Sequence, residues 1–422
     1  MRDVARSGSL PPAPHLGTVF AIFVLVALTS RPIFAVNPPI PRGFQVANVQ
    51  VLFDMEAVQD RLLPDLQEAT REIYVDFYIF GGDIGRAVSR ILKEKKKAGL
   101  DVRVLFDRYR GTLPATRKDM GRIWKDLVRS GVPVQEAPRQ DGRWFSPGKR
   151  RIDHNKLFVI DGKYAYAGGM NLHDIYWNFH DLMVRFDGGS VDTLRDLFLY
   201  DWGLAVGSEQ RPENPEDSIR FPEVSDAHAE VEAVPAGATH VRVLSSGVGR
   251  STVWGPFIGA IRAATTSIRL AGDEVNHPVM IQEIIQAQGR GVDVRILVDP
   301  TRSDAFVTPK FDLKLPEGII SANAIHAWNE AGVPVRFFDT TGSFKLMHLK
   351  YIVVDEVICN QGSTNHTKGA FSWTSETNLE MVGEGAREVG RRFDQEWARG
   401  SPARVGSLAL ILNKIIRALI AR

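Results

Sequence analysis

At 422 residues, with 24% of them charged and a formal net charge of +2, the chain is long enough for two ordinary domains, each with its own core. The near balance of charge excludes a strongly basic protein that lives on nucleic-acid backbone contacts. The only cysteine, Cys359, excludes a disulfide framework or a cysteine-based zinc site, and within its apolar run it reads as a small core residue.

In chain order, Arg2 and Arg6 precede the apolar run LGTVFAIFVLVALTS, followed by a small residue at Ala35. That run is shorter than the about 20 apolar residues of a membrane span. Residues 1–36 therefore read as a signal peptide or N-terminal membrane anchor, and the protein is expected to be exported or membrane-associated, at the cell envelope. A first domain over 45–206 follows. In it EIYVDFYIF (72–80) reads as a buried strand, GRAVSRILKEKKKAG as a helix, VRVLFD as a strand, GRIWKDLVRSG as a helix and VPVQEA as a strand. The basic residues Arg139, Arg143, Lys149, Arg150 and Arg151 precede the next strand; such a run is a solvated face or a draw for anions. Residues 207–238, rich in Pro, Glu and Asp, read as an acidic linker. The second domain, 239–403, repeats the order with SIRLAG, HPVMIQEIIQAQGRG, VRILVD, NAIHAWNEAG, VPVRFF and MHLKYIVVD. Residues 404–422 form an amphipathic basic helix, with Leu408, Leu412, Ile415, Ile416 and Leu419 at helical spacing. It either docks on the domain or lies in a membrane interface.

The chain is thus one unit used twice. GLDVRVLFD at 99 is answered by GVDVRILVD at 291, and GVPVQE at 131 by GVPVRF at 332. Strands alternating with helices imply an α/β fold, two homologous domains each with a mixed sheet flanked by helices.

The last strand of each half carries the chemistry. HNKLFVID starts at His154 and HLKYIVVD at His348, so each has the spacing His-x-Lys-x₄-Asp: His154, Lys156, Asp161 and His348, Lys350, Asp355. Residues two apart on a strand share a face, so each histidine projects with its lysine. A histidine and lysine at the mouth of a buried strand need anionic partners, and phosphate is a natural one. Asn171 and Asn365 each stand 17 residues past their histidine, behind Gly168 and Gly169 or Gly362. Their amides, with the Ser363 hydroxyl, suit phosphate oxygens, and the glycines let backbone come close. A lone His-x-Lys is usually structural; two copies at equal spacing in a duplicated unit point to one shared site. There one imidazole attacks phosphorus and the other moves the proton of the alcohol. The lysines and asparagines stabilise the phosphoryl charge, and no metal or other cofactor is called for. The aspartates suit an orienting or charge-balancing part better than proton transfer.

These paired motifs, with GG-x-N and GS-x-N, resemble the phospholipase D superfamily, and within it bacterial cardiolipin synthases, over roughly residues 50–400. The resemblance implies two phospholipase D-like domains about a pseudo-twofold axis and a ping-pong reaction through a covalent phosphohistidine. His154 would then be nucleophile and His348 acid/base. It also implies a glutamate about eleven residues past the second asparagine, Glu376, with Glu380 the competing choice and His180 or Asp181 its counterpart in the first half. Two features depart from the pattern. There is one short apolar segment where two spans are usual, and GDEVNHP stands where an aromatic-proline element is expected near residue 273. The implied function is a phosphodiesterase or phosphatidyltransferase acting on a phospholipid substrate at a membrane surface, with water or an alcohol as acceptor and no protein partner. The alternative is an endonuclease of the same superfamily acting on nucleic acid.

Overall fold

The computed structural model describes residues 39, 42–107, 114–138, 152–208, 219–300 and 316–420. The N-terminal segment, the basic stretch 139–151 and the acidic stretch 209–218 lie outside the described residues.

Two large sheets and one two-stranded sheet form the described residues. The first runs Val49–Phe53, Leu182–Phe186, Tyr164–Gly168, Lys156–Ile160, Glu72–Phe77, Asp101–Phe106, Val134–Glu136. The last three strands are parallel and the rest antiparallel. The second sheet repeats this path as Thr239–Gly247, Glu376–Gly383, Ile358–Gly362, Lys350–Val354, Ser267–Gly272, Asp293–Val298, Val335–Phe337, with short strands added at both edges. Each central strand is buried on both faces, which is why its sequence is a continuous apolar run. Helices cover the sheets with amphipathic faces; in Gly82–Lys97, Ile84, Val88, Ile91 and Leu92 face the core while Lys95, Lys96 and Lys97 close the last turn, where cations suit the helix dipole.

The halves meet face to face with reciprocal pairing. Phe179–His180 of the first half pairs in parallel with Leu346–Met347 of the second. Asp153 of the first forms a parallel bridge with Ser375 of the second. In both places the residue before one half's histidine is paired with a residue just ahead of the other half's strand Leu182–Phe186 or Glu376–Gly383, as a pseudo-twofold axis between the sheets requires.

Two details differ from the sequence reading, and one open choice is decided. Gln45–Ala47, assigned to the first domain, adds a strand to the second sheet beside Thr239–Gly247. The linker is not unstructured throughout: Ile219–Arg220 pairs into the second sheet and Ala227–Ala233 is a helix, held where Asp226 accepts two bonds from Arg242. The C-terminal helix Ser407–Ile420 docks through buried Ala409 and through Asn413, whose amide donates to the carbonyls of Ile319 and Ile320. The expectation of an exported or membrane-associated protein is corrected: among the described residues no helix is long and apolar enough to cross a membrane, and the signal or anchor segment on which it rested lies outside them.

Candidate active site

Each histidine sits two residues before the start of a buried strand, Lys156–Ile160 or Lys350–Val354. Backbone from the opposite half fixes its position: His154 N–H donates to Ser375 O at 2.8 Å and His348 N–H to His180 O at 2.7 Å. The strand geometry folds each lysine back, so that Lys156 Nζ donates to His154 O at 2.6 Å and Lys350 Nζ to His348 O at 2.5 Å. Both ammonium groups are buried. Burial, eased by Glu376 and worsened by Lys350, lowers Lys156 to about 7. A buried lysine with so weak a hold on its proton is poised for an incoming anion.

Each imidazole is oriented by a carboxylate from the other half. Glu376 Oε2 lies 3.1 Å from His154 Nδ1, and Asp181 Oδ2 lies 2.6 Å from His348 Nδ1. With Nδ1 engaged, Nε2 is the nitrogen left to act on a substrate. Glu376 is itself fixed, because Ser363 Oγ donates to Oε2 at 2.5 Å and Thr374 Oγ1 to Oε1 at 2.7 Å. Burial lowers the pKa of His154, with Lys156 adding to the effect. Burial also raises Asp181, against the pull of Lys350, to about 6. The lysine of each half thus acts electrostatically on groups of the other, and the two motifs share one site.

The glycine pair has a concrete task. A Cβ on Gly168 would stand 2.4 Å from Leu182 O, and one on Gly169 would stand 2.6 Å from Asp181 Oδ1 and 3.4 Å from Gly362 O. Only glycine lets the first half's strand end reach the carboxylate that orients His348.

The remaining candidates separate. Asn171 is buried with its Oδ1 unpartnered, and Asn365 directs its amide toward Glu274 at 3.4 Å. Ser363 supports Glu376 in place of facing a ligand alone. Glu380 is tied to Arg242 and does not meet a histidine; Glu376 does. Asp181, not His180, is its counterpart.

Asp161 and Asp355 are corrected as members of the reacting set. Each lies past the far end of its strand, roughly 17 Å from its lysine at about 3.3 Å per residue. Both adopt positive φ, 56° and 49°, the left-handed conformation that aspartate tolerates in a tight hairpin turn. Asp161 accepts from the backbone N–H groups of Thr70, Arg71 and Glu72; Asp355 does the same for Thr265, Thr266 and Ser267. The x₄ spacing measures the strand, not the site. Asp273, which no pattern in the sequence marked as a site residue, does lie in it, with Oδ2 3.3 Å from Lys350 Nζ and 3.7 Å from His348 Nε2.

Comparison with known proteins places this geometry. The family described as cardiolipin synthase, PLD-like domain, matches residues 62–202 and again 257–397, together more than half of the chain. A probable cardiolipin synthase, YwiE, of Bacillus subtilis is 23% identical over 361 residues, 83% of this chain and 66% of that protein. A cardiolipin synthase of Listeria welshimeri is 26% identical over 349 residues, 78% of this chain and 64% of that one. The chain therefore spans about two thirds of the length of these relatives. Among solved structures, phosphatidylserine synthase of Haemophilus influenzae Rd KW20 superposes with a TM-score of 0.64 at 16% identity, over 89% of this chain and 95% of that one. That is a likeness of fold.

Proposed function

We propose, from the premise that this chain belongs to the family of cardiolipin synthase PLD-like domains and carries that domain twice, that it is a phosphodiesterase or phosphatidyltransferase acting on phospholipids. The observation that carries the reading is the crossed arrangement of Glu376 on His154 and Asp181 on His348. It supplies two imidazoles each held through Nδ1, beside two buried ammonium groups. This constellation suits double displacement at phosphorus.

In the first step His154 Nε2 attacks phosphorus and forms an N–P bond. The P–O bond to the departing alcohol breaks, and His348 gives its Nε2 proton to that oxygen. Lys156 and Asn171 hold the non-bridging oxygens as charge develops on them. In the second step an incoming alcohol or water loses its proton to His348, its oxygen bonds to phosphorus, and the N–P bond breaks to release His154. Glu376 and Asp181 keep Nδ1 protonated and stabilise each imidazolium as it forms. Which acceptor arrives decides between hydrolysis and transfer.

The test is turnover of phosphatidylglycerol, phosphatidylcholine, cardiolipin and single-stranded DNA by the purified protein, with EDTA present. Headgroup release or cardiolipin formation, lost at least a thousandfold in His154→Ala, is the expected result. DNA cleavage with every lipid left intact would overturn the reading.

A further inference from the structure

The two halves are equivalent in fold, yet the residue after the first strand of each motif differs. Tyr78 follows Glu72–Phe77, whose Phe77 pairs with Lys156. Asp273 follows Ser267–Gly272, whose Gly272 pairs with Lys350. On the first side an aromatic ring stands 4.9 Å from His154, with Lys156 Nζ 5.2 Å from its centre. Among the described residues no carboxylate lies within ion-pairing distance of Lys156. On the second side a carboxylate oxygen lies between the ammonium of Lys350 and Nε2 of His348, at 3.3 and 3.7 Å. That is the position a phosphoryl oxygen would take if both halves bound it alike.

The Asp273 carboxylate is not a swinging arm. Its Oδ1 accepts from Glu274 N–H at 2.8 Å. The loop beyond is pinned: Val275 N–H donates to Ser321 Oγ at 3.0 Å, and Asn276 and His277 N–H donate to His366 O at 3.0 and 3.1 Å. The negative charge is built in beside Lys350.

We propose that Asp273 is a specificity-determining residue that fills the second half's anion position with the protein's own carboxylate. Resting on the reading above, this seats the substrate phosphoryl group against Lys156 and Asn171 of the first half and leaves Asp273 and His348 to the alcohol. The chemistry distinguishes the two ligands: a hydroxyl donates a hydrogen bond and suits a carboxylate, whereas phosphoryl oxygens only accept and are repelled by it. The first half thereby holds the reacting phosphodiester, and the second half presents a carboxylate to the hydroxyl of its partner.

Titration calorimetry with inorganic phosphate as probe tests this without any turnover, so its outcome stands apart from the lipid assay. Asp273→Asn, nearly the same shape without the charge, is expected to bind phosphate at least tenfold more tightly than the unsubstituted chain. Asp273→Glu should restore the original affinity, and adding Lys350→Met to Asp273→Asn should abolish the gain. Asp273→Ser repeats the measurement should the asparagine variant misfold. Unchanged or weaker phosphate binding in the folded variant overturns the proposal, as does a gain that survives Lys350→Met.

Discussion

Lys156 and Asp181 hold opposite ends of the pH window in which this site is charged as the reaction needs. Asp181, raised by burial to about 6, protonates as pH falls through that value and no longer accepts from His348 Nδ1. Lys156, lowered by burial to about 7, loses its charge as pH rises through that value. The pH profile of kcat/KM, which reports the free enzyme, is therefore expected to be a narrow bell with limbs near 6 and near 7. Lys156→Arg, which stays charged, should move the alkaline limb upward by more than one pH unit even though the different donor geometry lowers the rate. An alkaline limb unmoved by that change would dissociate it from Lys156. At this scale the sequence was legible where a residue repeated: histidine and lysine recur at equal spacing, and they converge. Asp273 was illegible because nothing in GDEVNHP says that its carboxylate meets a lysine 77 positions later. Only the register of two strands brings them together.

The strand that carries the motif explains both what the spacing meant and how it misled. Four residues of buried strand separate Lys156 from Asp161, so a pattern compact in sequence is stretched to opposite ends of the sheet. Asp161 earns its place as a hairpin residue that gathers the backbone N–H groups of Thr70, Arg71 and Glu72. Burial opposes its charge, but those hydrogen bonds prevail and lower its pKa. The stability it contributes is thus present above its unfolded pKa and fades as pH falls through the folded one. Asp161→Asn is expected to cost about 1–3 kcal/mol in urea unfolding with kcat within a factor of three of the original. A thousandfold loss of kcat in a variant that still folds would return Asp161 to the reacting set. The alternation of strands and helices was readable from apolar runs and helical periodicity. The exchange of Gln45–Ala47 into the other sheet was not, since a three-residue strand has no pattern of its own and its partner is chosen by the fold.

The whole molecule depends on the halves staying in register, and a buried clamp beside the site holds them. His180 lies between Asp54 of its own half and Glu396 of the other, with both ring nitrogens at 2.6 Å from a carboxylate. Arg392 bonds Glu396 from the same helix, Glu384–Arg399. Burial disfavours the imidazolium, but the bonds to Asp54 and Glu396 outweigh it and raise His180 to about 9. A raised pKa gives stability that is complete below the unfolded value near 6.5 and is lost as pH rises through about 9. The contribution is on the order of 3 kcal/mol. The melting temperature of the unsubstituted chain should therefore exceed that of His180→Gln by most at pH 6 and by little at pH 10; a constant gap would show that the clamp is not ionic. Duplication in the sequence made two domains legible, but the clamp was hidden because its three members come from distant stretches and none repeats. The proposed reaction divides the labour between two nearly equivalent histidines, and the most direct measurement of that division is the covalent intermediate. Rapid quenching with phospholipid labelled at phosphorus, followed by peptide mapping, should place an acid-labile label on His154, retained in His348→Ala and absent from His154→Ala. Label on His348, or label persisting in His154→Ala, would contradict the account.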